Sequence, residues 1–161
     1  MKRVIVLLLS VILVLSFAGC SSGDSSESGS EQAAASDSGT LGDYDVSIKD
    51  YKLVKDYEGN DAIAITYDFT NNGEDAISFE GAVLCTVFQD GVELDIATVY
   101  LDEDEMTYLD DDSWKEIQTG KTIEVTTTHL LNDTANDVTV EVEEIISFDD
   151  SKLTKTFEIA Q

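Results

Sequence analysis

Between Ile63 and Thr70 the chain alternates without a break. Ile63, Ile65, Tyr67 and Phe69 hold one parity, and Ala64, Thr66, Asp68 and Thr70 hold the other. A two-residue period sends successive side chains to opposite faces of a strand, so this stretch asks for a core on one side and water on the other. The period recurs at Tyr44, Val46 and Ile48, at Ile123, Val125 and Thr127, and at Val138, Val140 and Val142. Ile77 and Phe79 suggest a further short strand. Val83 to Gln89 is apolar at nearly every position, as in a central strand covered on both faces or at a sheet corner. Asp90-Gly91 then tolerates the positive φ angles of a type I′ turn and predicts a tight hairpin into Val92, Leu94 and Ile96. Near the end, Glu143-Glu144 shifts the phase so that Ile145 and Ile146 are adjacent, which predicts a β-bulge. Leu153, Phe157 and Ile159 close the chain. Beyond the first twenty residues no segment sustains a helical period. Seven to eight strands about a dozen residues apart, without crossover helices, predict an all-β antiparallel β-sandwich over residues 43–161. With no proline anywhere, edge protection falls to charge and bulges.

The first twenty residues are of another kind. Met1-Lys2-Arg3 is basic, Val4 to Phe17 is apolar apart from Ser10 and Ser16, and Ala18-Gly19 precedes Cys20. A basic start, an apolar core and small residues at a cleavage point make a secretory signal. Fourteen residues from Val4 to Phe17 fall short of the roughly twenty that a spanning helix needs. Ala18-Gly19-Cys20 resembles the bacterial lipobox, although Phe17 stands where that motif usually has Leu. The resemblance implies that residues 1–19 are removed and that Cys20 carries diacylglycerol and a fatty acyl (palmitate-type) chain. The protein would then sit on the extracellular face of the cell membrane. Residues 21–40 contain eight Ser, three Gly and four acids and bury almost nothing. Residues 20–42 therefore read as a disordered tether.

Charge narrows the partners. The 161 residues carry 34 acids against nine Lys and Arg, for a net charge of −25. Losing Lys2 and Arg3 with the signal takes this to −27. Such a surface repels nucleic acid, whose binding depends on Lys and Arg neutralising phosphates. It favours cations or basic protein faces. Cys85, in strand-like surroundings, reads as a core thiol, since little positive charge is available to activate it. His129, the single histidine, follows a threonine run and reads as a strand residue. Asn132-Asp133-Thr134 reads as a turn.

Two features are candidate sites. Asp102, Asp104, Asp110, Asp111 and Asp112 belong to a run of seven carboxylates within eleven residues. Ca²⁺ takes six to eight oxygens in irregular geometry, so this loop is a candidate for weak divalent-cation or cationic-ligand binding. It matches no established Ca²⁺ loop, and a solvated acidic surface is the competing reading. Met106, Tyr108 and Trp114 share the loop. They would form an interaction patch for an extracellular or envelope protein, or cap the open end of the sandwich. No resident cofactor is expected, and no nucleophile, base and orienting group can be assembled into an enzyme site.

One resemblance covers most of the chain. Asp56-Tyr57-Glu58-Gly59 leads into Ile63 to Asn72; Phe88-Gln89-Asp90-Gly91-Val92-Glu93-Leu94 follows, and Lys115-Glu116-Ile117 precedes a Gly and a Thr/Val strand. Behind a lipobox and an acidic tether, this order resembles a family of Gram-positive lipoproteins with an uncharacterised immunoglobulin-like extracellular domain. Members usually place Pro before the Gly that restarts the pattern, where this chain has Thr119. The resemblance implies the fold and an envelope location, and supplies no catalytic or ligand residues.

Overall fold

A computed structural model describes residues 36–102, 107–147 and 151–159. The signal, Cys20, Asp104 and Met106 lie outside the described residues.

Ten strands are described: β1 (Ser38–Leu41), β2 (Tyr44–Lys55), β3 (Asp61–Asn71), β4 (Val83–Gln89), β5 (Val92–Glu93), β6 (Tyr100–Asp102), β7 (Thr107–Tyr108), β8 (Lys121–Leu130), β9 (Val138–Glu144) and β10 (Lys152–Phe157). Eight of them form two antiparallel sheets, ordered β1-β2-β3-β8 and β10-β9-β4-β5, while β6 and β7 pair as a separate short hairpin. The chain crosses between the sheets from β3 to β4, from β5 to β8 and from β8 to β9. β8 thus returns beside β3 although four strands intervene in sequence. That is the Greek-key order of an immunoglobulin-like sandwich.

Alternation places the core. Ile63, Ile65, Tyr67 and Phe69 of β3, and Val138, Val140 and Val142 of β9, are fully buried between the sheets. Phe79 packs edge-on against Phe69 at 5.6 Å and lies 5.0 Å from Tyr67. Aromatic pairs at such separations add to the stabilisation from burial alone. The Asp90-Gly91 hairpin is present: both residues have positive φ, 52° and 75°, and Gln89 pairs directly with Val92.

Several expectations need correction. β1 lies inside the stretch read as tether and pairs with β2 from Ser38 to Leu41. The folded domain therefore begins before residue 43. Ile77 makes a single bridge to Ile117, and Phe79 opens a helical turn, Phe79–Ala82, capped by the Ser78 hydroxyl, which accepts the Gly81 N–H. β4 is not covered on both faces, since Leu84 is 50% exposed. β5 is short because the chain leaves β4 at Leu94 and crosses to the other sheet. The Ala97 N–H there donates to the Thr128 carbonyl, and the Leu130 N–H to that of Asp95. That crossing turns Ile96 outward, to 76% exposure. No bulge occurs at Glu143-Glu144: β9 simply ends there, and Ile145 and Ile146 are exposed. A register shift lies instead between Ile48 and Asp50 of β2. Finally, Ala62 and Ala64 are buried on the face expected to meet water. Ala97 and Val99 cover that end of β3 and form a small second core with Ala62, flanked by Val54, Leu109 and Leu130.

Thr119 has its own role. Its hydroxyl donates toward the carbonyls of Gly73, at 2.7 Å, and Glu74, at 3.1 Å. A proline has no hydroxyl to tie these two loops in this way.

Candidate functional site

The early departure of the chain from β4 leaves an opening between the sheets. Because β5 has two residues, the edge of β4 around Val83 and Cys85 has no strand beside it among the described residues. Across the gap stands the inner face of β8, where Thr127 and His129 oppose Ile65 and Ile63 of β3. The helical turn Phe79–Ala82 brings Glu80 to the mouth. A 3₁₀ turn, Asp111–Trp114, brings Asp110 and Trp114. The result is a cleft of about 300 Å³. Val83, Val87 and Leu94 supply apolar walls, and the exposed side chains of Leu84, Ile96 and Ile145 line it too.

A chain of polar contacts runs along the cleft floor. Tyr67 Oη lies 3.0 Å from Cys85 Sγ and 3.3 Å from Thr127 Oγ1. Thr127 Oγ1 in turn lies 3.1 Å from His129 Nε2. Burial pushes the Cys85 thiol up to about 12 and Tyr67 well above its usual range. A thiol so held is protonated at neutral pH and is a poor nucleophile. His129 is 7% exposed, and burial pulls it down from 6.5 to about 4, so its ring is neutral. The Leu94 backbone beside the ring offsets this only in part. His129 Nδ1 has no partner in strict hydrogen-bonding geometry among the described residues, and the Leu94 backbone is the polar group beside the ring.

The two carboxylates at the mouth are raised for a common reason. Glu80 and Asp110 are both shifted up chiefly by desolvation; the charge of Asp110 adds to the shift at Glu80, and that of Asp111 to the shift at Asp110. Among the described residues neither makes an ion pair; the five that form use Asp37, Asp61, Asp68, Asp112 and Glu141.

The residues singled out in the acidic loop do different things. Asp102 ends β6 and is exposed. Asp110 faces the cleft. Asp111 accepts the Tyr108 N–H at 3.1 Å, and Asp112 pairs with Lys115. Among the described residues no three His, Cys, Asp or Glu side chains converge as metal ligands. Tyr108 stacks on Tyr100 at 5.1 Å, whereas Trp114 stands 67% exposed at the cleft. Sequence reasoning missed Glu80 and the joining of Cys85 with Thr127 and His129. Their only signal was a cysteine and a histidine on inward parities of two strands that the sequence does not pair.

His129 makes the domain's stability depend on pH. Its folded pKa lies below its ordinary 6.5, at about 4, so between those values the unfolded chain binds a proton that the folded chain refuses. Stability therefore falls as pH drops through that window, by on the order of 3 kcal/mol once complete. Glu80 and Asp110, raised in the folded state, oppose this loss. Comparison with His129→Gln isolates the histidine. The stability difference, wild type minus variant, should shrink steadily on acidification through this window in urea titrations. A constant difference would show that the site tolerates imidazolium.

Two sheets of four strands in Greek-key order, with a cleft where their edges part, define an immunoglobulin-like β-sandwich domain. The chain belongs to a domain family of unknown function, DUF5067, which matches residues 20–144. Solved structures share the fold. A candidate lipoprotein of Staphylococcus aureus is 16% identical with a TM-score of 0.54, over 76% of this chain and 92% of that one. A protein from Enterococcus faecalis is also 16% identical, with a TM-score of 0.55 over 77% and 90%. An uncharacterised β-sandwich protein of Clostridium difficile is 14% identical, with a TM-score of 0.52 over 77% and 91%. A comparison with curated proteins found no match.

Proposed function

We propose that this chain is a membrane-anchored extracellular lipoprotein whose sandwich serves as a non-enzymatic binding module, with the cleft between β4 and β8 as its binding surface. The observation that carries the reading is convergence. Large exposed apolar side chains, two desolvated carboxylates and a polar floor meet at one opening of about 300 Å³, a size and lining typical of sites for small ligands or single side chains. The reading is non-enzymatic because the one thiol among the described residues, Cys85, is held protonated and Nε2 of the one histidine is already committed to Thr127. Divalent-cation binding by the acidic loop has no observation in its favour among the described residues.

Support for anchoring comes from Ala18-Gly19-Cys20 and from the likeness to a structure described as a candidate lipoprotein. Two or more acyl chains hold a protein at a membrane where one is marginal. Metabolic fatty-acid labelling should mark the wild type, and Cys20→Ala should abolish the label and release the protein from the membrane fraction. An unlabelled wild type would refute the anchor. The binding reading has its own test, because Trp114 is the only tryptophan. Fractions of a cell-envelope extract should change its emission saturably in the full-length protein, and Leu84→Ser with Ile96→Ser should abolish the change. Emission unmoved by every fraction counts against the cleft.

A further inference from the structure

We propose that the cleft between β4 and β8 is a site for an alkylammonium group: a positively charged nitrogen on a short apolar carbon stem, as in a free aliphatic amine. This rests on the cleft being the binding surface, and it names the chemistry that the surface selects.

Three independent observations point the same way. Glu80 and Asp110 both line the cleft and have no cationic partner among the described residues. Their raised pKa values are the mark of carboxylates that lack the water or the cation they need. An ammonium placed between them supplies that cation, and charge-assisted hydrogen bonds to carboxylates are the stronger kind. Beside them Trp114 presents an exposed indole, the aromatic face that best attracts a cation. At the inner end the His129 ring, more than nine-tenths buried, closes the same cleft. The ring is neutral, so it does not repel an incoming cation. Between mouth and floor, Val83, Val87 and Leu94 offer an apolar sleeve for the stem. An anionic ligand would meet two carboxylates at the entrance, and a purely apolar one would strand them further from water.

The test uses the full-length protein and three probes of one length: pentylammonium, 1-pentanol and pentanoate. Trp114 emission reads the mouth, and the amide resonances of Cys85, Thr127 and His129 read the floor. Pentylammonium should shift both saturably, with a dissociation constant on the order of millimolar for so small a ligand. Pentanol should bind at least about tenfold more weakly, and pentanoate not measurably, because each forfeits the charge-assisted contacts. Glu80→Gln with Asp110→Asn should lower the pentylammonium affinity about tenfold or more while the melting temperature stays at or above that of the wild type. Nα-acetyl-lysine-N-methylamide, whose stem ends in backbone, tests the orientation. It should bind more weakly than pentylammonium, and tighter binding would overturn the placement of the stem in the sleeve. Equal affinity for pentylammonium and pentanol, or an unchanged affinity in the double variant, overturns the cation assignment and leaves the cleft as an apolar binding surface. No saturable response to any probe overturns both this inference and the cleft as the binding surface.

Discussion

Ile65→Asp should leave the domain largely unfolded at room temperature, while Thr66→Asp should cost about 1–2 kcal/mol. Ile65 is fully buried at the middle of β3, flanked by Tyr51 of β2 and Thr127 of β8. Removing its side chain forfeits about 2–3 kcal/mol of burial. Placing a carboxylate there adds several more, because in that buried position the group must stay charged without water or give up its charge. Together these reach the whole stability of an ordinary domain, about 5–15 kcal/mol. Thr66 points the other way and is only half-buried. Its substitution brings a carboxylate opposite Asp50, which accounts for part of its smaller cost. Urea unfolding followed by circular dichroism reads both. Comparable losses at the two positions would refute the assignment of inner and outer faces.

Gln89→Leu should destabilise by about 3–4 kcal/mol, a large loss for a near-isosteric change to a more apolar residue. Gln89 ends β4 with its side chain buried. Its Nε2 donates to the carbonyls of Asp133, at 3.0 Å, and Asn136, at 2.8 Å. Its Oε1 accepts the N–H groups of Asn132, at 2.9 Å, and Asp133, at 3.2 Å. One amide thus satisfies four backbone groups of the turn that leads from β8 into β9. The Asp133 carboxylate completes that turn by accepting the N–H groups of Ala135 and Asn136. Leucine fills the space and leaves the four groups to find water at the cost of loop order. Gln89→Glu should separate hydrogen bonding from packing. It keeps the acceptor but sets a carboxylate against two carbonyls, which raises its folded pKa. A group so raised binds its proton more tightly in the folded state, so its deficit against wild type should narrow as pH falls toward about 4. A deficit independent of pH would mean that the loop re-forms around the charge. A Gln89→Leu cost below about 1 kcal/mol would mean that the turn holds itself.

These residues show what could be read in advance. The inner face of β3 was legible because the four residues Ile63, Ile65, Tyr67 and Phe69 keep one parity with polar neighbours between them. The hairpin after Gln89 was legible because Asp90-Gly91 is one of the few pairs able to take two positive φ angles. Gln89 itself was not. A glutamine on an inward parity gives no sign of its partners, and these lie 43 to 47 positions away. Leu94 and Ile96 misled for a related reason. Their alternation is real, but the chain changes sheets between them, so one parity meets two environments. Ala62 looks outward by period and is buried because Ala97, Val99 and Leu109 pack over that end of β3.

The sequence by itself determined the class of fold, the inward faces of most long strands, the tight turns and the acidic character of the surface. Each follows from interactions between residues close along the chain: side-chain parity, turn stereochemistry and summed charge. Only the tertiary structure decided that β5 stops after two residues, that the sheets part between β4 and β8, and that Glu80, Cys85, Asp110, Trp114, Thr127 and His129 line one cleft. Those residues come from three separate segments, and nothing local records their meeting. Their proximity is set by the packing of two sheets whose edges are of unequal length, and the desolvation that shifts Glu80, Asp110 and His129 arises only when that packing removes their water.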